Sequence, residues 1–297
     1  MNISAIVRAM KDGRAIVRAV AALMLLAAAI VAGRVFTVNA EGRPDAEVKL
    51  YAFDLGKLKV GDVTRFHLSP QEIRPTDFFA VVGYLVVHPK GTLIWDTGVV
   101  PDAEVGTNAP GADRAGRKLV DQLAQVGFKP GDITYFALSH YHNDHTANAN
   151  AFAQSTWLVR QTERDAMFAD PPPRIANPKE YDRLRNANTR ILDRDEYDVF
   201  GDGLVIIKSA PGHTPGHQVL IVRLKQSGPV ILAGDLYHFA EERRLRDRVP
   251  TFEFDKEQSI ASRNAIEDYA SRHHAQLWIE HDYAALLNQK KAPDFYR

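Results

Sequence analysis

A run of six residues, His-Tyr-His-Asn-Asp-His at positions 140–145, constrains this chain more than any other feature. The apolar segment before the run predicts a buried strand. Side chains two positions apart on an extended segment face the same side, so we expect His140 and His142 to share one metal ion. Asp144 and His145 lie at the turn into the next segment, where they can bind a second ion nearby. Clustered imidazoles gain nothing from adjacency without a metal, which favours a metal site over solvated loop histidines.

Three more potential ligands follow apolar, strand-like segments farther along the chain. His213 lies in a loop rich in glycine and proline, Asp235 ends the segment that begins at residue 230, and His281 ends the segment that begins at residue 277. A single histidine or aspartate at a strand end is more often structural than functional. Together with the run at 140–145, these strand-end side chains predict one site. The candidate metal ligands are His140, His142, Asp144, His145, His213, Asp235 and His281.

Short apolar or alternating segments, separated by turn signals, predict a mixed α/β fold. Strands are expected at residues 48–53, 79–88, 92–96, 133–138, 156–159, 204–209, 218–224, 230–233 and 277–280. Helices are expected at 118–126, 148–152, 177–186 and 258–273, the last capped by Asp255. Strands followed by a helix, twice over, indicate a sandwich with sheets inside and helices outside. No shift in composition divides residues 48–297, so we expect one domain there.

The first forty residues differ from the rest of the chain. Basic side chains precede an uncharged apolar run at residues 19–33, which is short for a membrane span of about 20 residues. A basic segment, a short apolar core and a small-residue site are typical of a secretory signal. Residues 38–40 fit the cleavage preference, so we expect a signal peptide at 1–40 cleaved after Ala40, with an uncleaved anchor as the alternative. Either predicts an exported protein, periplasmic or tethered to the membrane and facing the periplasm.

Charge and cysteine content limit the partners and the metal. Residues 1–40 hold five of the 37 basic and one of the 37 acidic residues, so the remainder has a net charge of −4. This charge gives no support for nucleic-acid binding, and membrane contact is expected only through the N-terminal segment. The sequence contains no cysteine. A metal site must therefore use histidine and carboxylate, which suits zinc, iron, manganese or cobalt.

The ordered set of candidate ligands resembles the metallo-β-lactamase superfamily. Its signature is His-x-His-x-Asp-His followed by a histidine, an aspartate and a histidine, and residues 95–98 (Trp-Asp-Thr-Gly) match an element usual upstream. The resemblance covers nearly the whole chain from about residue 48 and implies an αββα four-layer sandwich with the site at one edge of the sheets. It implies two divalent metal ions, with zinc expected. One ion would be held by His140, His142 and His213 and the other by Asp144, His145 and His281, with Asp235 bridging them.

Within the superfamily the sequence is most similar to N-acyl homoserine lactonases, on residues 50–53, 83–87, 94–98 and 279–282. This resemblance implies a dinuclear hydrolase for a small lactone or ester, whose metal-bridging hydroxide attacks the ring carbonyl of the lactone. Asp144 would then receive a proton as the intermediate collapses. That subfamily has a catalytic tyrosine three positions after the bridging aspartate. Here His238 occupies that position and Tyr237 precedes it, so both are catalytic candidates.

Other functions on the same fold remain as alternatives. A hydrolase of esters, thioesters or β-lactams is one, although class B β-lactamases have Cys or Ser in place of the bridging Asp235. Glyoxalase II enzymes need a C-terminal extension, and only 16 residues follow His281. A metal-free binding protein is the non-enzyme alternative. It is disfavoured because every expected ligand position holds a histidine or an aspartate. The sequence leaves the oligomeric state open. Asp96 is expected to orient a ligand imidazole, and His217 to be structural.

Overall fold

The first six strands form one sheet in the computed structural model, which describes residues 47–297. The strands lie side by side in sequence order. Neighbouring strands are antiparallel from β1 to β3 and parallel from β3 to β6. Parallel neighbours need crossover connections, which here contain helices. The strands are β1 (Lys49–Lys59), β2 (Phe78–His88), β3 (Gly91–Trp95), β4 (Tyr135–Ala137), β5 (Thr156–Val159) and β6 (Thr189–Ile191); the helices between them are α1 (Leu119–Gln125), α2 (Asn143–Thr146) and α3 (Gln161–Met167).

The remaining strands form a second, five-stranded sheet in the order β11-β10-β9-β8-β7. Its neighbours are antiparallel except β10 and β11, which are parallel and joined through a long helix. Asp255 caps that helix, because its side chain accepts hydrogen bonds from the backbone of Glu257 and Gln258, as the sequence predicts. The elements are β7 (Glu196–Asp198), β8 (Val205–Ser209), β9 (Gln218–Leu224), β10 (Gly228–Leu232), α4 (Lys256–His273), β11 (Gln276–Trp278) and α5 (Tyr283–Asn288).

The two sheets pack face to face, and helices cover their outer faces. In β2, Val82 and Tyr84 enter the core between the sheets, whereas Val81 and Leu85 pack on the outer side with residues of α1. Strand side chains alternate between faces, so a strand buried on both sides is apolar throughout. A third cluster buries Ile266 of α4 against the outer face of the second sheet. These layers form the αββα sandwich expected from the sequence.

Several boundaries differ from those predicted. The expected helix at 177–186 is two 3-10 turns, Pro178–Glu180 and Asp182–Asn186, and that at 148–152 is the 3-10 turn Ala149–Phe152. Strands β6 and β7 are short and partly exposed, so they lack the apolar pattern of the others. The remaining 3-10 turns are Val63–Phe66, Ala112–Arg114, Pro130–Asp132, Gly234–Leu236 and Ala240–Arg244.

The predicted export segment, residues 1–40, lies outside the described residues, as does its cleavage site. Within the part of the chain that the structure describes, no helix combines the length and apolar character needed to cross a membrane. Residues 47–297 cluster as one compact unit.

Candidate metal centre

The seven candidate ligands meet where four strands end. The run at 140–145 follows β4, His213 follows β8, Asp235 follows β10 and His281 follows β11. All seven side chains belong to buried residues. The first and the last of them, His140 and His281, are 141 positions apart in sequence, and the packing of the two sheets brings them together.

The ligand atoms form two overlapping groups, each within 4.8 Å. We call them the His140 group (His140, His142, His213 and Asp235) and the His281 group (Asp144, His145, His281 and Asp235). Asp235 belongs to both, and each of its oxygens faces one group. Oδ2 lies 3.3 Å from Nε2 of His213, while Oδ1 lies 3.1 Å from Nε2 of both His145 and His281. This is the arrangement expected of a carboxylate that bridges two metal ions.

The donor atoms fit divalent cations. Nε2 of His140, Nε2 of His145 and Oδ1 of Asp235 are buried, and although Nε2 of His145 and Oδ1 of Asp235 are 3.1 Å apart, none of the three is aligned for a hydrogen bond with a described residue. Buried polar atoms without partners are costly, and a cation bound between them removes that cost. Burial alone raises the pKa of Asp235, but the facing imidazoles, His281 foremost, hold it well below its usual range. A buried set of nitrogen and oxygen donors is suited to zinc or a similar first-row ion.

The first loop is shaped by contacts with the end of β3. Asp96, at a positive φ of 57°, accepts a hydrogen bond from the backbone N–H of Ser139 at 2.7 Å. Its other oxygen lies 3.3 Å from Nδ1 of His145. The backbone N–H and hydroxyl of Thr97 both donate to the carbonyl of His145. Residues 96–97 therefore hold the loop at Ser139 and the helix α2 at His145 in place, and they orient the imidazole of His145.

The outer nitrogen of other ligand rings is also occupied. Nδ1 of His281 lies 2.8 Å from the carbonyl oxygen of Ala80, and Nδ1 of His140 lies 3.0 Å from the hydroxyl of Ser139. A partner at Nδ1 leaves Nε2 free to face the ligand group and sets the orientation of the ring.

Glu163, on α3, joins two loops that carry candidate ligands. The sequence does not predict this role. Its carboxylate accepts hydrogen bonds from the backbone N–H of Tyr141 at 2.8 Å, the hydroxyl of Thr214 and the backbone N–H of Gly216 at 2.8 Å. Burial raises the pKa of Glu163 to about 7. A single glutamate in a polar helix carries no sequence signal for this role. Its contacts tie the His140–His142 loop to the His213 loop.

His217 connects the His213 loop to Asp235, consistent with the structural role expected from the sequence. Its Nδ1 lies 3.0 Å from the carbonyl oxygen of Ala210, and its Nε2 accepts a hydrogen bond from the backbone N–H of Asp235 at 3.1 Å. These two contacts require the neutral ring with its proton on Nδ1.

The two catalytic candidates after Asp235 point in different directions. Nε2 of His238 lies 3.3 Å from Oδ2 of Asp235, and the ring borders the cavities beside the site. The Tyr237 ring is fully buried under the guanidinium of Arg263, 4.7 Å from its centroid, and borders neither cavity. The lining of these cavities therefore does not support a catalytic role for Tyr237, which stays a prediction from the sequence. Its backbone is extended, and neighbouring residues of an extended segment face opposite sides.

Two cavities open onto the site. The lining of one, of about 460 Å³, includes His142, Asp144 and Asp235 of the ligand groups and the aromatic rings of Phe66 and Phe252. The other, of about 440 Å³, is bordered largely by aromatic and aliphatic side chains. Its lining includes Phe78, Phe239, Tyr283 and Leu287. The lining of both cavities includes Phe79, His238 and His281.

Comparison with known proteins agrees with this geometry. Residues 76–273 match the family model of the metallo-beta-lactamase superfamily. The chain belongs to this superfamily. It is 32% identical over 276 residues to the N-acyl homoserine lactonase AttM of Rhizobium radiobacter, an alignment that covers 84% of this chain and 99% of AttM. It is 29% identical over 226 residues to the N-acyl homoserine lactonase AiiA of Bacillus thuringiensis subsp. kurstaki, covering 71% and 85% of the two chains.

The fold of this superfamily member is also found in a solved N-acyl homoserine lactone hydrolase that has the product N-hexanoyl-L-homoserine bound at its catalytic metal centre. The TM-score is 0.67 at 25% identity, covering 84% of this chain and 100% of that chain. The superfamily, the sandwich fold and the similarity to N-acyl homoserine lactonases, all predicted from the sequence, are thereby confirmed.

Proposed function

We propose that this protein is a dinuclear metal-dependent hydrolase that opens the ring of N-acyl homoserine lactones. The observation that carries this proposal is Asp235, whose two oxygens each face one of two buried ligand groups beside a cavity. The identity to AttM over almost all of that lactonase supports the choice of substrate.

The described residues would hold two divalent ions, and we propose zinc. One ion would be bound by His140, His142 and His213. The other would be bound by Asp144, His145 and His281, and Asp235 would bind both ions. When bound, two such ions supply an activated water and polarise the carbonyl group of the substrate.

Residues around the ligand groups would bind the lactone and manage its protons. Asp144 borders the cavity, and its Oδ2 lies 3.6 Å from Nε2 of His281, so it can receive a proton near the reacting carbonyl. Nε2 of His238 lies 3.3 Å from Oδ2 of Asp235, where it can hold a proton for the departing ring oxygen. The aromatic rings of Phe66, Phe79 and Phe252 offer an apolar wall for an acyl chain and exclude water from it.

We also propose that residues 1–40 direct the chain out of the cytoplasm. The basic segment followed by a short apolar run supports this proposal. Expression of the full chain in a bacterium, followed by fractionation and N-terminal sequencing, tests it. A mature N-terminus at residue 41 in the periplasm is expected, and an intact chain in the cytoplasm would contradict it.

Hydrolysis of an N-acyl homoserine lactone series tests the main proposal. The full chain is loaded with zinc, and acid release is followed for each lactone, with a β-lactam and an aryl ester as comparison substrates. We expect selective lactone opening that is lost with a chelator and in His142→Ala. His273→Ala is the matched control, since His273 is exposed and lies outside the site. Turnover of only the ester or the β-lactam would instead indicate another hydrolase of the superfamily.

A further inference from the structure

Glu253 is a buried carboxylate behind a candidate metal ligand. Its Oε1 lies 2.8 Å from Nδ1 of His213, and its side chain is 3% exposed. Nε2 of the same ring lies 3.3 Å from Oδ2 of Asp235. The His213 ring therefore has the ligand group on one side and Glu253 on the other. Glu253 is not among the residues expected from the sequence.

The backbone around Glu253 is fixed to the loop that carries His213. The N–H of Phe254 donates to the carbonyl of His213 at 3.3 Å, and the N–H of Asp255 donates to that of Gly212 at 2.9 Å. The hydroxyl of Ser259, in α4, donates to the second oxygen of Glu253. The carboxylate is thus held in one position by two elements, and both of its oxygens have partners.

The two ligand groups differ in negative charge. The His281 group contains two carboxylates, Asp144 and the shared Asp235. The His140 group contains three imidazoles and only the shared Asp235. Glu253 therefore adds a negative charge directly behind the group that has less of its own. A carboxylate that accepts the Nδ1 proton of a ligand histidine fixes the tautomer and strengthens electron donation from Nε2.

We propose that Glu253 is a positioning residue that sets the affinity of the His140 group for its metal ion. It acts through His213 and touches neither the metal nor the substrate. This inference rests on the metal assignment made under the proposed function. The expected effect of removing the charge is a 10- to 100-fold weaker binding at this group, on the order seen for partners of metal-binding histidines. The His281 group is expected to keep its ion.

Metal titration of the full chain tests this inference without relying on catalysis. Wild type and Glu253→Gln are compared by competition with a chromophoric chelator, and by the absorption spectrum of the cobalt-loaded protein. Wild type is expected to bind two ions. Glu253→Gln is expected to bind one ion as wild type does and the other 10- to 100-fold more weakly, with an altered cobalt spectrum. Glu267→Gln is the matched control, because Glu267 pairs with Arg243 away from the site.

Two ions bound by Glu253→Gln with unchanged affinities and an unchanged spectrum would overturn the inference. Wild type that binds no second ion would instead contradict the proposed function. Ser259→Ala separates the charge from local packing, because it removes one hydrogen bond and keeps the carboxylate. If Ser259→Ala loses as much metal affinity as Glu253→Gln, local packing and not the charge sets the affinity, and the inference is wrong. If Glu253→Gln does not fold, Glu253→Met is measured, because it removes the charge and keeps a side chain of similar length, and affinities equal to those of wild type would overturn the inference.

Discussion

The imidazole of His238 stacks on that of His281, with ring centroids 5.4 Å apart and planes inclined by 17°. The rings of Phe66 and Phe252 pack against other sides of His238. This packing holds the imidazole of His238 between Asp235 and the cavities. A titratable ring so placed can transfer a proton to or from a substrate bound beside the ligand groups.

Replacement of His238 is expected to affect turnover and leave the metal in place. His238→Ala should lower kcat about 100-fold, a typical contribution of a proton-transfer group. Its metal-to-protein ratio should equal that of wild type, since His238 belongs to neither ligand group. His238→Tyr should recover part of the activity, because the resemblance implies a tyrosine at this position. Steady-state kinetics with metal analysis checks this, and metal loss in His238→Ala would mean that His238 is a ligand.

Replacement of Asp235 by serine is expected to leave one metal ion. The His281 group keeps Asp144, whereas the His140 group is left with three imidazoles alone. Either set of three ligands can hold one ion, but the carboxylate between the two cations is gone, so we expect one ion to be lost and activity to fall by more than about 100-fold, beyond the effect of an outer hydrogen-bond partner. Metal analysis after dialysis measures the remaining ion. Two retained ions with full turnover would contradict a bridging role.

A methyl group at Gly216 is expected to separate α3 from the His213 loop. A Cβ built there lies 2.6 Å from Cβ and 2.7 Å from the backbone nitrogen of Glu163. Gly216→Ala should therefore lower the free energy of unfolding by about 1–3 kcal/mol, the usual range for overpacking. Gly131→Ala is the matched control, since a Cβ there meets nothing within 4 Å. Urea unfolding of both variants measures the difference, and equal stabilities would show that the two elements separate without cost.

After a chelator has removed any metal, the free energy of unfolding is expected to fall in mild acid. The reason is that the ring of His217 stays neutral in the folded chain. Burial, with a smaller effect of His213, lowers the pKa of His217 to about 3, against about 6.5 in an unfolded chain. Below pH 6.5 the unfolded chain therefore binds a proton that the folded chain does not. The stabilisation that comes from the neutral ring of His217 is fully present above that pH and is lost as the pH falls toward 3.

His217→Gln measures this contribution. One such histidine lowers the free energy of unfolding by about 1.4 kcal/mol for each unit by which the pH falls in this range. Between pH 6.5 and pH 5, wild type should therefore lose about 2 kcal/mol more than His217→Gln. Denaturant unfolding at the two pH values, with metal removed from both proteins, gives the comparison. An equal loss in both would mean that other groups account for the acid sensitivity.

Residues with distinctive chemistry after apolar strands were predictable, and residues that act through distant contacts were not. The seven candidate ligands belong to the first kind. Glu163 and Glu253 belong to the second, because each is an isolated glutamate outside any ligand motif. Glu163 meets Thr214, 51 positions away, and Glu253 meets His213, 40 positions away. No local pattern encodes such a pairing.

The order of the ligands and the alternation of apolar residues along each strand were determined by the sequence alone. Side-chain type and strand period are local properties, and they specify which face of a sheet is buried and what chemistry follows each strand. Only the tertiary structure decided that Asp235 faces both ligand groups and that His238, not Tyr237, borders the cavities. These relationships depend on how elements far apart in the chain pack, because side-chain direction at a strand end is set by the neighbours it meets there.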